Sequence, residues 1–258
     1  MSLETVSLSG RVAIVTGAAM GMGEATAKLF AARGAKVIVA DIDGTAGERT
    51  AAAITAGGGD ARFVYCDVSD EESVAAMVTH TVETFGRLDC AVNNAAITPD
   101  NLPIAEADME RWDRVISVDL RGVMLCMKYE IRQMMAQGTG GAIVNISSVS
   151  GVRPQPNNSA YVAAKHGVIG LTKTGSLEYA PHKIRVNAVL PGAIDTPMLR
   201  GALEETGFSE QDFAPALSLL GRFGRPEEVA EASAWLCSDA SSYVTGHSLA
   251  VEAGYLTR

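Results

Sequence analysis

The run Val12-Ala13-Ile14-Val15-Thr16-Gly17-Ala18-Ala19-Met20-Gly21-Met22-Gly23 decides how the rest of the chain is read. Its first four residues are continuously apolar, which suits a strand covered on both faces and therefore a parallel sheet. Three glycines follow, and a segment carrying Ala25, Ala27, Leu29 and Phe30 then reads as a helix. Glycine lets the backbone turn tightly and approach a pyrophosphate, whose charge the positive end of the following helix stabilises. Strand, glycine turn and helix in that order predict a dinucleotide-binding turn built from Gly17, Met20, Gly21, Met22 and Gly23.

The same alternation continues along all 258 residues. Apolar, β-branched runs lie near 11–16, 36–41, 61–66, 88–93, 141–147, 184–189 and 247–251, with helical segments between. In one of these, Val74, Val78, Val82 and Phe85 share a face after Ser69 and the acidic trio Asp70, Glu71 and Glu72, a capped and dipole-matched start. Another begins at Arg225-Pro226-Glu227-Glu228, where proline and two carboxylates suit a first helical turn, and runs to about Cys237. Right-handed crossovers then predict one doubly wound, Rossmann-type α/β domain over residues 1–258, with a parallel sheet of about seven strands. Residues 191–217 lack a clear period and read as a substrate loop inside that domain.

Composition removes several function classes. The chain is 47% hydrophobic and 20% charged, too apolar for a disordered segment. Its net charge of −9 repels a polyphosphate backbone, so no nucleic-acid partner is expected. Charges such as Arg33 and Lys36 interrupt every long apolar window, and residues 1–10 show no signal segment, so neither a membrane span nor export is expected. Cys66, Cys90, Cys126 and Cys237 are scattered without metal-ligand spacing, which predicts reduced cysteines, no metal site and a cytoplasmic protein.

Asp41 ends the second strand eighteen residues after Gly23, where an acid can hydrogen-bond an adenosine ribose. A carboxylate and one unit of phosphate charge about 4 Å apart repel by about 4 kcal/mol at an effective dielectric near 20. No cation stands at Met20 or Ile42 to compensate, so NAD(H) is expected over NADP(H). Farther along, Tyr161 and Lys165 are four apart in a segment, 159–180, that reads as a helix, so both project from one face. Ser148 precedes Tyr161 by thirteen residues and ends a strand at the carboxyl edge of the sheet, where α/β proteins bind ligands. Ser147 beside it falls on the opposite strand face, which by itself does not select one serine over the other, and His166 is rotated about 100° from Lys165 and should pack elsewhere.

Carbonyl reduction needs a proton donor at the developing alkoxide, and alcohol oxidation needs a base there. An ammonium about 5 Å from a phenol favours the phenolate by about 3 kcal/mol at an effective dielectric of 20, which fits Tyr161 for both tasks.

Together these residues resemble the short-chain dehydrogenase/reductase family in its branch of about 250 residues. The resemblance covers residues 9–255 and is carried by 16–23, Asp41, Asp67-Val68, Asn93-Asn94-Ala95-Ala96, Ser148, Tyr161 with Lys165, Asn187, and Pro191-Gly192 with Thr196. It implies an NAD-dependent alcohol dehydrogenase or carbonyl reductase in which Tyr161 is the acid/base, Lys165 also holds the nicotinamide ribose, and Ser148 holds the substrate oxygen. It places Asp41 and Ile42 at the adenosine ribose, Asp67 and Val68 near the adenine, and Asn94 and Ala95 along the cleft. Pro191, Gly192, the Ile194 backbone and Thr196 fall near the nicotinamide, and a homotetramer is implied.

Four residues depart from the family pattern: Asp119 stands for the usual Asn, Ala96 for a final glycine, and Glu252 and Ala253 make Glu-Ala-Gly of the usual Asp-Gly-Gly. In the family the backbone carbonyl of that Asn holds a water leading to the lysine. An Asp keeps the carbonyl, which leaves Asp119 as either a catalytic relay member or an ordinary helix residue.

The substrate side should be bounded by Ser150, Val152, Pro154 and Gln155, and by Met198, Leu199, Leu203, Phe208, Phe213 and Leu217. Such a set favours an apolar or cyclic secondary alcohol or ketone, whereas Arg200 or Arg222 would suit an anionic one. Two other readings stand beside it. A 3-ketoacyl-carrier-protein-type reductase is disfavoured by Asp41, since that branch generally uses NADPH. A non-catalytic nicotinamide-binding regulatory protein is disfavoured by the intact Ser148, Tyr161 and Lys165.

Overall fold

In the computed structural model, which describes residues 6–98, 101–206 and 209–257, the alternation of strands and helices closes into one sheet. Its strands are β1 (Val12–Thr16), β2 (Lys36–Asp41), β3 (Asp60–Tyr65), β4 (Cys90–Asn93), β5 (Gly141–Ile146), β6 (Ile184–Pro191) and β7 (Ser248–Val251). They are all parallel and lie in the order β3-β2-β1-β4-β5-β6-β7. The winding direction reverses between β1 and β4, and the crevice beyond their carboxyl ends is where such sheets take ligands.

The helices are α1 (Gly21–Ala32), α2 (Gly44–Ala56), α3 (Glu71–Phe85), α4 (Met109–Ile116), α5 (Val123–Gln137), α6 (Ser159–Tyr179), α7 (Pro197–Thr206), α8 (Glu210–Leu217) and α9 (Pro226–Cys237). They cover both faces of the sheet. Ala13 and Val15 of β1 pack with Phe30 of α1 and Val229 and Ala234 of α9, while Ile14 packs with Met77 of α3, Met127 of α5 and Val168 of α6. Two covered faces are what the continuous apolar runs require. At the start of α3 the cap is Asp70, whose carboxylate accepts the Glu72 N–H, and Ser69 lies one residue outside.

Residues 191–217 differ from the expected loop: most of the segment is helical, in α7 and α8. Ser209 and Asp212 cap α8 reciprocally, and Leu203, Ala214 and Phe223 form a small separate core. Helices of ten and eight residues, with Gly201 and Pro215 inside them, are too short and interrupted for their period to show in the sequence.

Candidate active site

The glycine turn is dictated by sterics. Gly17 and Gly21 have φ of +63° and +59°, a region that favours glycine. A Cβ on Gly23 would lie 2.0 Å from the Gly17 carbonyl oxygen, so only glycine lets α1 close against the turn. Asn94 clamps the other side. Its Nδ2 donates to the Thr16 and Gly17 carbonyls at 3.0 Å, and its backbone N–H donates to Thr16 Oγ1 at 3.0 Å. The Asp41 carboxylate is fixed at the end of β2, accepting the Ala19 N–H at 2.9 Å and the Asp43 N–H at 3.0 Å.

One cleft joins these elements to the α6 pair. Gly17, Met20, Gly21, Met22, Asp41, Ile42, Asp67, Val68, Asn94 and Ala95 line it together with Tyr161, Lys165, Thr196 and Met198. Gly23, Pro191, Gly192 and Ile194 are not among the residues that line it. Gly192 is pressed against the Glu252 backbone and donates to the Val251 carbonyl, and the Ile194 carbonyl accepts the Thr196 hydroxyl at 3.3 Å.

Lys165 Nζ lies 5.2 Å from the centre of the Tyr161 ring, donates to the Ile146 carbonyl at 3.2 Å, and sits 3.6 Å from Asp119 Oδ2. Lysine and aspartate are both buried. Asp119 belongs to a π-helical turn, Ser117–Gly122, between α4 and α5, and its Oδ1 accepts the Ile97 N–H at 2.9 Å. It therefore ties the segment after Asn94 to the lysine and does not lie on a plain helix face. Burial pushes the Asp119 carboxyl above the ordinary carboxylate range, against the pull of the Lys165 ammonium.

Ser148 caps a 3₁₀ turn, Val149–Gly151, with its Oγ accepting the Ser150 N–H at 3.1 Å. That bond leaves the hydroxyl proton to be donated elsewhere. Ser147 donates to the Lys165 carbonyl at 2.8 Å, so the two serines are engaged separately, as strand alternation predicts. The cleft wall includes Ser147 but not Ser148, Ser150, Val152 or Gln155. Ser150 is buried, Val152 is exposed and Gln155 half-buried on the loop that follows.

Both suspected anion-binding arginines are already engaged. Arg200 is held by Asp195 and Glu210, and Arg222 by Glu228, whose carboxyl it holds down at about 2. His166 is exposed and packs back on the Val162 carbonyl, and Phe208 lies outside the described residues. One buried acid escaped the sequence reading. Glu130 of α5 is fully buried against Asn93, and its only sequence signal is a charge on the apolar stripe of Met127, Ile131 and Met134.

A family model described as Enoyl-(Acyl carrier protein) reductase matches residues 17–256. Over 249 residues the chain is 51% identical to the short chain dehydrogenase/reductase astE of Aspergillus oryzae, covering 96% of this chain and 95% of that one. It is 48% identical over 245 residues to cis-4-hydroxycyclohexanecarboxylate dehydrogenase of Sinomonas cyclohexanicum, covering 95% and 96% of the two chains. Identity is 46% over 248 residues to 2,5-dichloro-2,5-cyclohexadiene-1,4-diol dehydrogenase of Sphingobium indicum, with coverage of 96% and 98%. Among solved structures, a short-chain type dehydrogenase/reductase from Mycobacterium marinum matches with a TM-score of 0.93 and 34% identity, over 99% of each chain. Similarity that runs nearly end to end, through the same winding and the same turn, settles the kinship: the chain belongs to the short-chain dehydrogenase/reductase family, oxidoreductases built around a nicotinamide cofactor.

Proposed function

We propose that the protein interconverts a cyclic secondary alcohol and its ketone with NAD(H), Tyr161 serving as proton donor and acceptor. The observation that carries this reading is the single cleft with a fixed carboxylate, Asp41, and a lysine-backed phenol, Tyr161, on its walls. The residues fit a dinucleotide. Gly17 and Gly23 leave bare backbone where a Cβ would clash, and the N-terminus of α1 has no side-chain cap, so its amides are available to an anion. Asp41 would accept hydrogen bonds from the adenosine ribose and repel a phosphate there. Lys165 would hold the nicotinamide ribose, with Thr196 and the Ile194 backbone at the carboxamide. When bound, the nicotinamide takes hydride from the alcohol carbon or returns it.

The protein groups handle the proton. Tyr161 removes it from the alcohol during oxidation and supplies it to the oxygen during reduction. Lys165 favours the phenolate electrostatically, and the Ile146 carbonyl and Asp119 hold its ammonium in place. Ser148, already an acceptor for the Ser150 N–H, donates its hydroxyl to the substrate oxygen.

The ring-alcohol class is supported by two relatives named for alcohols on six-membered rings, by the Met198 side of the cleft, and by the engagement of Arg200 and Arg222 with carboxylates. The matching family model is described as an acyl-carrier reductase, but Asp41 and those relatives favour the alcohol reading. Exposed Met124 and Met135 of α5 and Leu177 of α6 support an apolar face covered in a homotetramer, and four buried free cysteines support a reducing, cytoplasmic setting. The test is NADH formation from cyclic alcohols, with NADP⁺ run in parallel. Tyr161→Phe should lower turnover about a hundredfold or more while NADH titration is unchanged; near-wild-type turnover would overturn the role of Tyr161.

A further inference from the structure

We propose that Glu130 works as a neutral acid that donates its proton to Asn93, and that losing this proton at alkaline pH loosens the glycine turn clamped by Asn94. The starting point is a hydrogen-bond chain whose direction is fixed. Thr172 Oγ1 donates to the Val168 carbonyl at 2.8 Å, so it can only accept from Asn145 Nδ2, 3.0 Å away. Asn145 Oδ1 then faces Asn93 Nδ2 at 3.0 Å, and the same Nδ2 donates to Glu130 Oε2 at 3.1 Å. Every amide in the chain is thereby oriented, and Asn93 Oδ1 is left as a buried acceptor with no donor.

Glu130 Oε1 is the other buried acceptor without a partner in this cluster. Buried polar atoms are seldom left unpaired, and two acceptors cannot satisfy one another. A single proton on Oε1, donated to Asn93 Oδ1, satisfies both. The Asn93 Nδ2–H pulls the carboxyl toward its anion, and burial outweighs that pull. The titratable groups that face it are the thiols of Cys66, after β3, and Cys126, one turn earlier in α5, and burial pushes both up, Cys66 to about 12. The core into which α5 packs is otherwise apolar, and no cation is among the partners of Glu130. Burial pushes its own carboxyl up to about 8.

The link to the turn is covalent and short. Asn93 is the last residue of β4, paired in register with Asn145, and Asn94 follows it directly. Asn94 and Ala95 hold Thr16 and Gly17 through four hydrogen bonds. An anion at Glu130 repels Asn93 Oδ1, and relief by rotation of Asn93 moves the strand end on which that clamp is built. Glu130 is thus a positioning residue for the proposed dinucleotide cleft, and the inference rests on that reading of the cleft.

The test uses wild-type protein and Glu130→Gln, whose amide can make both bonds to Asn93 without titrating. At neutral pH the unliganded wild type should show the infrared C=O band of a protonated carboxylic acid, absent from the variant. Its absence from wild type would overturn the proposal, and this arm needs no variant if Glu130→Gln fails to fold. Hydrogen exchange of the 16–23 and 93–97 segments without cofactor should accelerate in wild type relative to the variant above about pH 8, and an unchanged ratio would refute the coupling. The NADH Kd should weaken about tenfold in wild type one unit above the midpoint and stay level in the variant, and parallel curves would likewise overturn the proposal. Failure of either protein to bind NADH or NADPH at any pH would sink the cleft reading instead, and the two cofactor-free arms would still decide the role of Glu130.

Discussion

Asp119→Asn probes how the lysine beside the phenol is tuned. At 5.2 Å from the ring centre, the Lys165 ammonium favours a phenolate at Tyr161 by about 3 kcal/mol at an effective dielectric of 20. The Asp119 carboxylate is 3.6 Å from that ammonium, which places it within about 9 Å of the ring centre. There its charge opposes the phenolate by about 2 kcal/mol, cancelling most of what the lysine contributes. Asparagine removes the charge and keeps an oxygen for the Ile97 N–H now accepted at 2.9 Å. At about 1.4 kcal/mol per pH unit, the acid limb of kcat/KM for alcohol oxidation should move to lower pH by about one unit or slightly more. Initial rates of NADH formation at subsaturating alcohol across the pH range give the limb directly. Superimposable limbs would refute the tuning, because the carboxylate would then be uncharged or unfelt at the phenol. Stability carries its own sign. Burial raises the folded-state pKa of Asp119 above its ordinary value of 3.8, so the carboxyl's contribution is complete below that value and is lost as pH rises through the folded one. Denaturant unfolding of Asp119→Asn relative to wild type should therefore improve from acid toward neutral pH, and a pH-independent difference would count against a reluctant buried carboxylate.

Two further substitutions address the cofactor and a departure from the family pattern. Asp41→Ser removes the charge that opposes a ribose phosphate. It should raise the NADP(H)-to-NAD(H) ratio of kcat/KM by about a hundredfold, short of the roughly thousandfold that 4 kcal/mol would allow, and an unchanged ratio would remove Asp41 as the selector. Ala253 occupies the left-handed region at φ +52°, where its Cβ is strained, so Ala253→Gly should stabilise the fold by about 1 kcal/mol. A rise in Tm of about 2–4 °C is the expected readout for a domain of this size, and a fall would show that the strain lies elsewhere.

What could be read before the structure was what a local period or a fixed spacing writes into the chain. A strand covered on both faces must be apolar throughout, so β1, β2, β4 and β5 announce themselves, and one helical turn forces Tyr161 and Lys165 onto a common face. The place of Asp41 at the end of β2 was legible because the apolar run of that strand stops there. α7 and α8 were not, since their burial is only a small satellite core under two interrupted helices. Glu130 escaped, and the part of Asp119 stayed open between relay and plain helix residue, for a different reason. Each looks like an ordinary helix charge, and each acquires its meaning from a partner in another element: Lys165 of α6 for one, Asn93 of β4 for the other. For Glu130 the pattern nevertheless held a clue, because residues 127, 130, 131 and 134 share one face of α5, and the rest of that face is apolar and buried. An acid set among such neighbours, with no cation one turn away on the same face, has only two ways to be tolerated: a partner donated by the sheet it packs on, or a proton it does not release. In this protein the Asn93 amide supplies the first and its unpaired carbonyl oxygen calls for the second, so an acidic residue on an apolar stripe is where a sequence of this kind shows a buried titrating group.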